Sequence, residues 1–147
     1  MNRRQIITAS AAALMAAATQ AGFAQTKPAA AHHHHGSPAA ELLIDVVSEC
    51  IAKGETCLAH CIMLMGDGDK SVAGCAKSVS ETLAVCESLR KLAAQGSAYA
   101  KPMARLAMDA CLACEKECRK HEAKHKECRD CAKACADCAK ECKSFAA

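Results

Sequence analysis

The chain has 147 residues, enough for one domain. Aromatic content is 2%, with Phe23, Phe145 and Tyr99 and no Trp, which argues against a nucleic-acid platform built on base stacking. The formal charge of +3, which becomes +1 once Arg3 and Arg4 are removed, implies neither a strongly acidic nor a strongly basic partner.

Cysteine is the outlier, at thirteen residues. Roughly a tenth of the chain as Cys reaches the level of a disulfide scaffold. Such scaffolds are loop-rich, however, and these cysteines lie on Ala/Lys/Glu/Leu-rich segments that favour helix. Thiols stacked along one helix face are also poorly oriented to bridge each other.

Met1 to Ala24 reads as an export signal. Arg3-Arg4 precedes a weakly apolar, Ala-rich run, and Gly22-Phe23-Ala24 offers small residues at a cleavage point. The run is too short and too Ala-rich for a membrane span, so none is expected after its removal. Twin arginines point to the Tat route, which carries folded cargo, and hence to the periplasm. Folding in the reducing cytosol first would protect the thiols from random pairing. Residues 25–36 form a Pro/Ala/His linker, in which His32–His35 fits a metal trap, a tag remnant or plain linker.

Residues 37–147 are predicted to be an all-α domain. Ser37-Pro38 reads as N-cap and first helical residue of a helix running to about Met65. Leu43, Val46, Cys50, Cys57, Cys61 and Leu64 mark its inner face, and Gly54 weakens it locally. After the turn Gly66-Asp67-Gly68-Asp69, a second helix is predicted from about Asp69 to Gln95. It turns Val72, Cys75, Val79, Leu83, Cys86 and Leu89 inward, and Gly96 stops it. Pro102 falls in the first turn of a third helix, which carries Ala107, Cys111, Cys114 and Cys118.

The next boundary is the least marked, because His121 to His125 contains neither Gly nor Pro. One helix from about Pro102 to Phe145 could not bury its thiol face within a monomer, so a hairpin is expected there. The fourth helix holds Cys128, Cys131, Cys135, Cys138 and Cys142 at alternating gaps of three and four residues, on one face. The expected architecture is an antiparallel four-helix bundle with a cysteine-lined core.

A single buried thiol is ordinary small hydrophobic filler. Thirteen on inward positions of four helices point instead to a soft metal. Thiolates favour Cu(I), Zn(II) or iron–sulfur clusters. Structural zinc sites usually draw their ligands from loops, and the ferredoxin cysteine spacing is absent. Cu(I) accepts two thiolates in a line, and residues at i and i+4 have Cβ atoms about 5–6 Å apart. Cys57/Cys61, Cys114/Cys118, Cys131/Cys135 and Cys138/Cys142 are such pairs. Charge sharpens the choice, since a zinc with four thiolates leaves two negative charges in a low-dielectric interior. One Cu(I) per thiolate leaves none, so about one Cu(I) per Cys is expected.

Antiparallel threading places His60, Met63 and Met65 at the same end as His121 and His125, where softer His and Met ligands would form a mouth. Met103 and Met108 fall towards the other end, as packing. A metallothionein-like zinc sink is the alternative function. A thiol–disulfide oxidoreductase, suggested by the CxxC pairs Cys111/Cys114 and Cys128/Cys131, would need an exposed pair beside a βαβ unit. No strand pattern is present, and an enzyme is not expected.

The run C-x3-C-x2-H-x3-H-x2-C-x2-C-x3-C-x2-C-x3-C spans Cys114, Cys118, His121, His125, Cys128, Cys131, Cys135, Cys138 and Cys142. In this run the chain resembles the bacterial copper storage proteins, a family of cysteine-rich four-helix bundles, and its leader resembles that of the exported branch. The resemblance implies a Cu(I) store inside each bundle, for later supply to copper enzymes. It also implies loading through the His/Met end and assembly into a homo-tetramer. Cys50, Cys75, Cys86 and Cys111 join the ligand set by their inward phase.

Overall fold

The computed structural model describes residues 37–147. The expected export signal (1–24) and the linker with His32–His35 lie outside the described residues. Four helices follow in order: α1 (Pro38–Gly66), α2 (Ala73–Ala94), α3 (Ala100–Arg119) and α4 (Lys126–Ala146). Among the described residues there is no strand.

Local chemistry sets the ends. The Ser37 hydroxyl accepts from the Ala40 N–H at 3.3 Å and Pro38 occupies the first turn of α1, as the sequence predicts. Gly68 (φ 96°) and Gly96 (φ 61°) supply the left-handed residues of the first two connections. The second helix starts later than expected. The Asp69 carboxylate accepts from the Ser71 N–H at 2.9 Å, and this local turn leads into a 3-10 segment, Lys70–Val72, before α2 begins. The hairpin between α3 and α4 forms where expected, with the His125 N–H bonded to the His121 carbonyl at 3.0 Å.

Each helix packs on two neighbours. α1 lies between α2 and α4, and α3 lies between the same two, which closes an up-and-down antiparallel bundle. The outer faces carry i,i+4 ion pairs such as Arg119–Glu115 (2.7 Å), the solvated pattern the sequence suggests. Within the core the two ends differ. Leu43, Val47, Leu89, Ala104 and Ala107 fill the end where α1 and α3 begin, whereas thiols, interleaved with Ile51, Val72, Val79 and small residues, fill the rest.

Two expectations about inward positions need correction. Val47 is fully buried and Val46 only half-buried; both are three or four residues from Leu43 and Cys50, so spacing does not separate them. In the same way Thr82 is buried while Leu83 is half-buried. Gly54 does not interrupt α1. It is buried against α2, and a Cβ there would stand 2.9 Å from Leu83 Cδ2, so the small residue allows close helix approach. Gly54→Leu should therefore overpack this contact and destabilise the metal-free protein by about 1–3 kcal/mol. Chemical denaturation of the two proteins would measure the difference, and equal midpoints would refute the close-approach account.

Candidate metal centre

The bundle turns every cysteine inward. All thirteen are buried thiols, none more than 3% exposed, and none is joined in a disulfide. Cys75 on α2 and Cys118 on α3 bring their sulfurs to 3.3 Å, far beyond a covalent S–S bond of about 2.05 Å.

The sulfurs fall into overlapping groups whose members all lie within 4.8 Å of one another. Cys50, Cys86, Cys111 and Cys138 form a layer with one cysteine from each helix. Cys57, Cys61, Cys75 and Cys128 form a second group near the hairpin end, and Cys57, Cys118 and Cys131 a third. Cys114, Cys131 and Cys135 form a fourth on the facing sides of α3 and α4. Cys142 lies 3.9 Å from Cys138.

The expected CxxxC pairs are all close: 3.9 Å for Cys114/Cys118 and Cys138/Cys142, and within 4.8 Å for Cys57/Cys61 and Cys131/Cys135. Contacts between helices are equally short, however. Cys57 lies 3.9 Å from Cys75 and 3.8 Å from Cys128, Cys86 lies 3.8 Å from Cys111, and Cys50 lies 3.9 Å from Cys135. The pairs are therefore parts of larger, interhelical sulfur groups. Spacing along one helix carries no information about such cross-bundle neighbours.

Crowding makes the thiols titrate unequally. Cys50 is held below the usual thiol range because Cys111, Cys135, Cys138 and Cys86 surround it with S–H donors. Cys114 is lowered likewise, by Cys118 first and then by Cys131 and Cys135. Their partners move the other way. Hydrogen bonding to Cys114, Cys131, Cys57 and Cys75, with burial, pushes Cys118 up, and the thiol of Cys142 rises through Cys138 and then burial. At Cys61 and Cys128 burial is the leading cause of the rise, followed by the charge of neighbouring sulfurs. A thiol that accepts its neighbours' S–H bonds is thus easier to ionise, and a neighbour that donates, as Cys118 does to Cys114, is harder to ionise.

The surroundings add no compensating charge. The buried polar side chains among the described residues are Ser78 and Thr82, both neutral. The Thr82 hydroxyl donates to the Ser78 and Ala110 carbonyls at 2.9 and 3.1 Å, tying α2 to α3. Thr82, Ile51 and Gly54 were not singled out as lining the thiol core. They lie beside it between Cys50, Cys86, Cys114, Cys131 and Cys135.

At the hairpin end, His60 Nε2 and His125 Nδ1 share a hydrogen bond of 3.0 Å, with ring centroids 5.0 Å apart. Glu127, not anticipated, brings a carboxylate oxygen 3.6 Å from His60 Nε2. Both imidazoles are half-buried, as is His121 in the adjoining turn. The two methionines separate: Met65 is half-buried against the core, whereas Met63 is 54% exposed. Met103 and Met108 pack on the core from the α3 side, as expected.

Fold and site together define a cysteine-lined four-helix bundle able to hold soft metal ions. Residues 36–147 match the copper storage protein family, Csp, and the chain belongs to that family. A Bacillus subtilis (strain 168) protein described as uncharacterized cysteine-rich protein YhjQ is 32% identical over 108 residues, spanning 74% of this chain and 96% of its own length. The apo structure of copper storage protein 3 from Bacillus subtilis is 31% identical, with a TM-score of 0.65, covering 74% of this chain and 99% of that one. The Cu(I)-bound copper storage protein BsCsp3 is 30% identical, with a TM-score of 0.66 over the same shares. Ccsp from Streptomyces lividans, loaded with 10 copper equivalents, shares the fold at 22% identity and a TM-score of 0.66, covering 74% of this chain and 83% of its own.

Proposed function

We propose that the protein stores Cu(I), binding many ions through cysteine thiolates inside the bundle for later supply to copper enzymes. The observation that carries this reading is a set of thirteen buried thiols with no buried cationic side chain among the described residues. Two four-sulfur groups could match the ligand count of zinc. Each would then hold a net double negative charge in a low-dielectric core, which is costly without a counter-ion. Cu(I) at one ion per thiolate, with bridging sulfurs, leaves the core neutral, as it is when the thiols are protonated. Loading on this account is an exchange of each proton for one Cu(I), so acid favours release.

A binding role rather than an enzymatic one follows from access. A catalytic thiol must meet its substrate as an exposed thiolate, and here the cysteines are buried within a helical bundle. The family's storage role and the Cu(I) bound by BsCsp3 support the same reading. On this reading the thirteen cysteines are the store. His60, His125, His121, Met63 and Met65 form its mouth, with the His60–His125 contact as the supporting geometry. Bundles assemble into a homo-tetramer, for which the exposed Leu42, Leu106 and Leu112 offer apolar contact surface. Export through Tat rests on Arg3-Arg4 and the Ala-rich run behind them.

Anaerobic titration of the reduced protein, with Cu(I) competed against a strong chelator, should saturate near one ion per Cys. Helicity should stay constant throughout and the mass should be that of four chains. Saturation at roughly three ions would instead indicate zinc-like sites. The double variant His60→Ala/His125→Ala should keep that capacity but take up Cu(I) several-fold more slowly; an unchanged rate would remove the histidines from the mouth. Fused to a reporter, residues 1–36 should direct export in cells with a working Tat system and fail in cells lacking it. Export in both would contradict the Tat reading.

A further inference from the structure

We propose that Cys135 is the junction through which Cu(I) passes between two parts of the store, an inference that rests on the storage reading above. The sulfurs are not evenly spread. A far layer takes one cysteine from each helix, Cys50, Cys86, Cys111 and Cys138, and Cys142 extends it. Most of the remainder crowd towards the His60/His125 end, where Cys57, Cys61, Cys75 and Cys128 group together.

Between these parts the core has a waist. α1 and α2 contribute Ile51, Gly54, Val79 and Thr82 at this level, none of them a thiol. Gly54 lets the two helices close on each other through Leu83. Sulfur continues only on the α3/α4 side, in the group Cys114, Cys131 and Cys135. From that group Cys135 reaches Cys50, 3.9 Å away on α1. Cys111 of the far layer also hydrogen-bonds Cys135, whereas the contacts Cys57–Cys75, Cys57–Cys128, Cys75–Cys118, Cys86–Cys111, Cys114–Cys118 and Cys138–Cys142 each join members of one part.

The described core residues at the opposite end are apolar. Leu43, Val47, Leu89, Ala104 and Ala107 close it, all fully buried and none able to ligate Cu(I). Transfer along sulfur is a ligand exchange. A bond from Cu(I) to the next sulfur forms as the bond to the previous one breaks. The incoming thiol's proton passes to the sulfur left behind, and copper stays in the +1 state, so no oxidant or reductant is required. Without Cys135 an ion at Cys114 or Cys131 would have to cross the waist with no bridging thiolate.

Cys135→Ser and Cys142→Ser each remove one thiol, the first at the waist and the second at the far edge. Both variants and the unsubstituted protein are mixed anaerobically with chelator-buffered Cu(I). Copper per chain is followed in time by native mass spectrometry, and Cu(I)–thiolate absorbance by stopped flow. Cys142→Ser, which also loses one ligand, should still fill in a single phase and end slightly short. Cys135→Ser should fill in two phases, with the second at least about tenfold slower, equivalent to about 1.4 kcal/mol on the barrier. A single phase at the Cys142→Ser rate would overturn the junction. Should serine disturb the helix signal, Cys135→Ala makes the same comparison with no buried hydroxyl. Saturation of the unsubstituted protein at roughly three ions would overturn the storage reading and the junction with it. That failure is seen without any variant, so the two are distinguishable.

Discussion

The interior of this bundle must remain close to electrically neutral although it holds thirteen ionisable thiols. Among the described residues thirteen thiols are buried with no buried Lys, Arg or His, and Ser78 and Thr82 are the buried polar residues. In water a thiolate is stabilised by solvent; here only a neighbouring S–H bond can do this, and each neighbour recruited becomes harder to ionise. The opposed shifts of Cys114 and Cys118 are two sides of that competition. A monovalent cation per sulfur resolves it without a counter-ion, which ties the chemistry of the store to the dielectric of its container.

The same core limits stability in the absence of metal. Cysteine buries less apolar surface than leucine, and each methylene-sized group is worth about 0.8 kcal/mol. The metal-free fold therefore leans on the fully buried Leu43, Val47, Leu89, Val72 and Val79, on alanines that permit close helix approach, and on helix-favouring sequence. Metal bound only by the folded state adds stability through linkage. The apolar plug at one end consequently has two roles, as the metal-independent part of the core and as the wall that closes the store on that side.

The division of labour among helices is unequal. α3 and α4 carry eight of the thirteen cysteines, and their hairpin sets Cys118, His125 and Cys128 close in sequence. α1 and α2 alternate thiols with aliphatic residues and meet closely at Gly54 and Leu83. The result is a store continuous on one side and interrupted on the other, with Cys135 standing where the continuous side meets the four-helix layer.

Helix identity, the inward phase of the cysteines and the hairpin at His121–His125 were legible in the sequence, because they depend on short-range periodicity and on the need to bury one face per helix. That Val47 rather than Val46, and Thr82 rather than Leu83, lies inside was not legible. Adjacent positions satisfy the same three-or-four spacing, and only the rotation of the helix against its neighbours chooses between them. Gly54 reads locally as a weak point and becomes a contact once α2 is in place. The thiol content and the CxxxC pairs were set by sequence, since one helical turn brings such residues together. Which sulfurs meet across the bundle, as at Cys75–Cys118 and Cys50–Cys135, was decided only by tertiary structure, because it depends on the relative height of helices far apart in the chain.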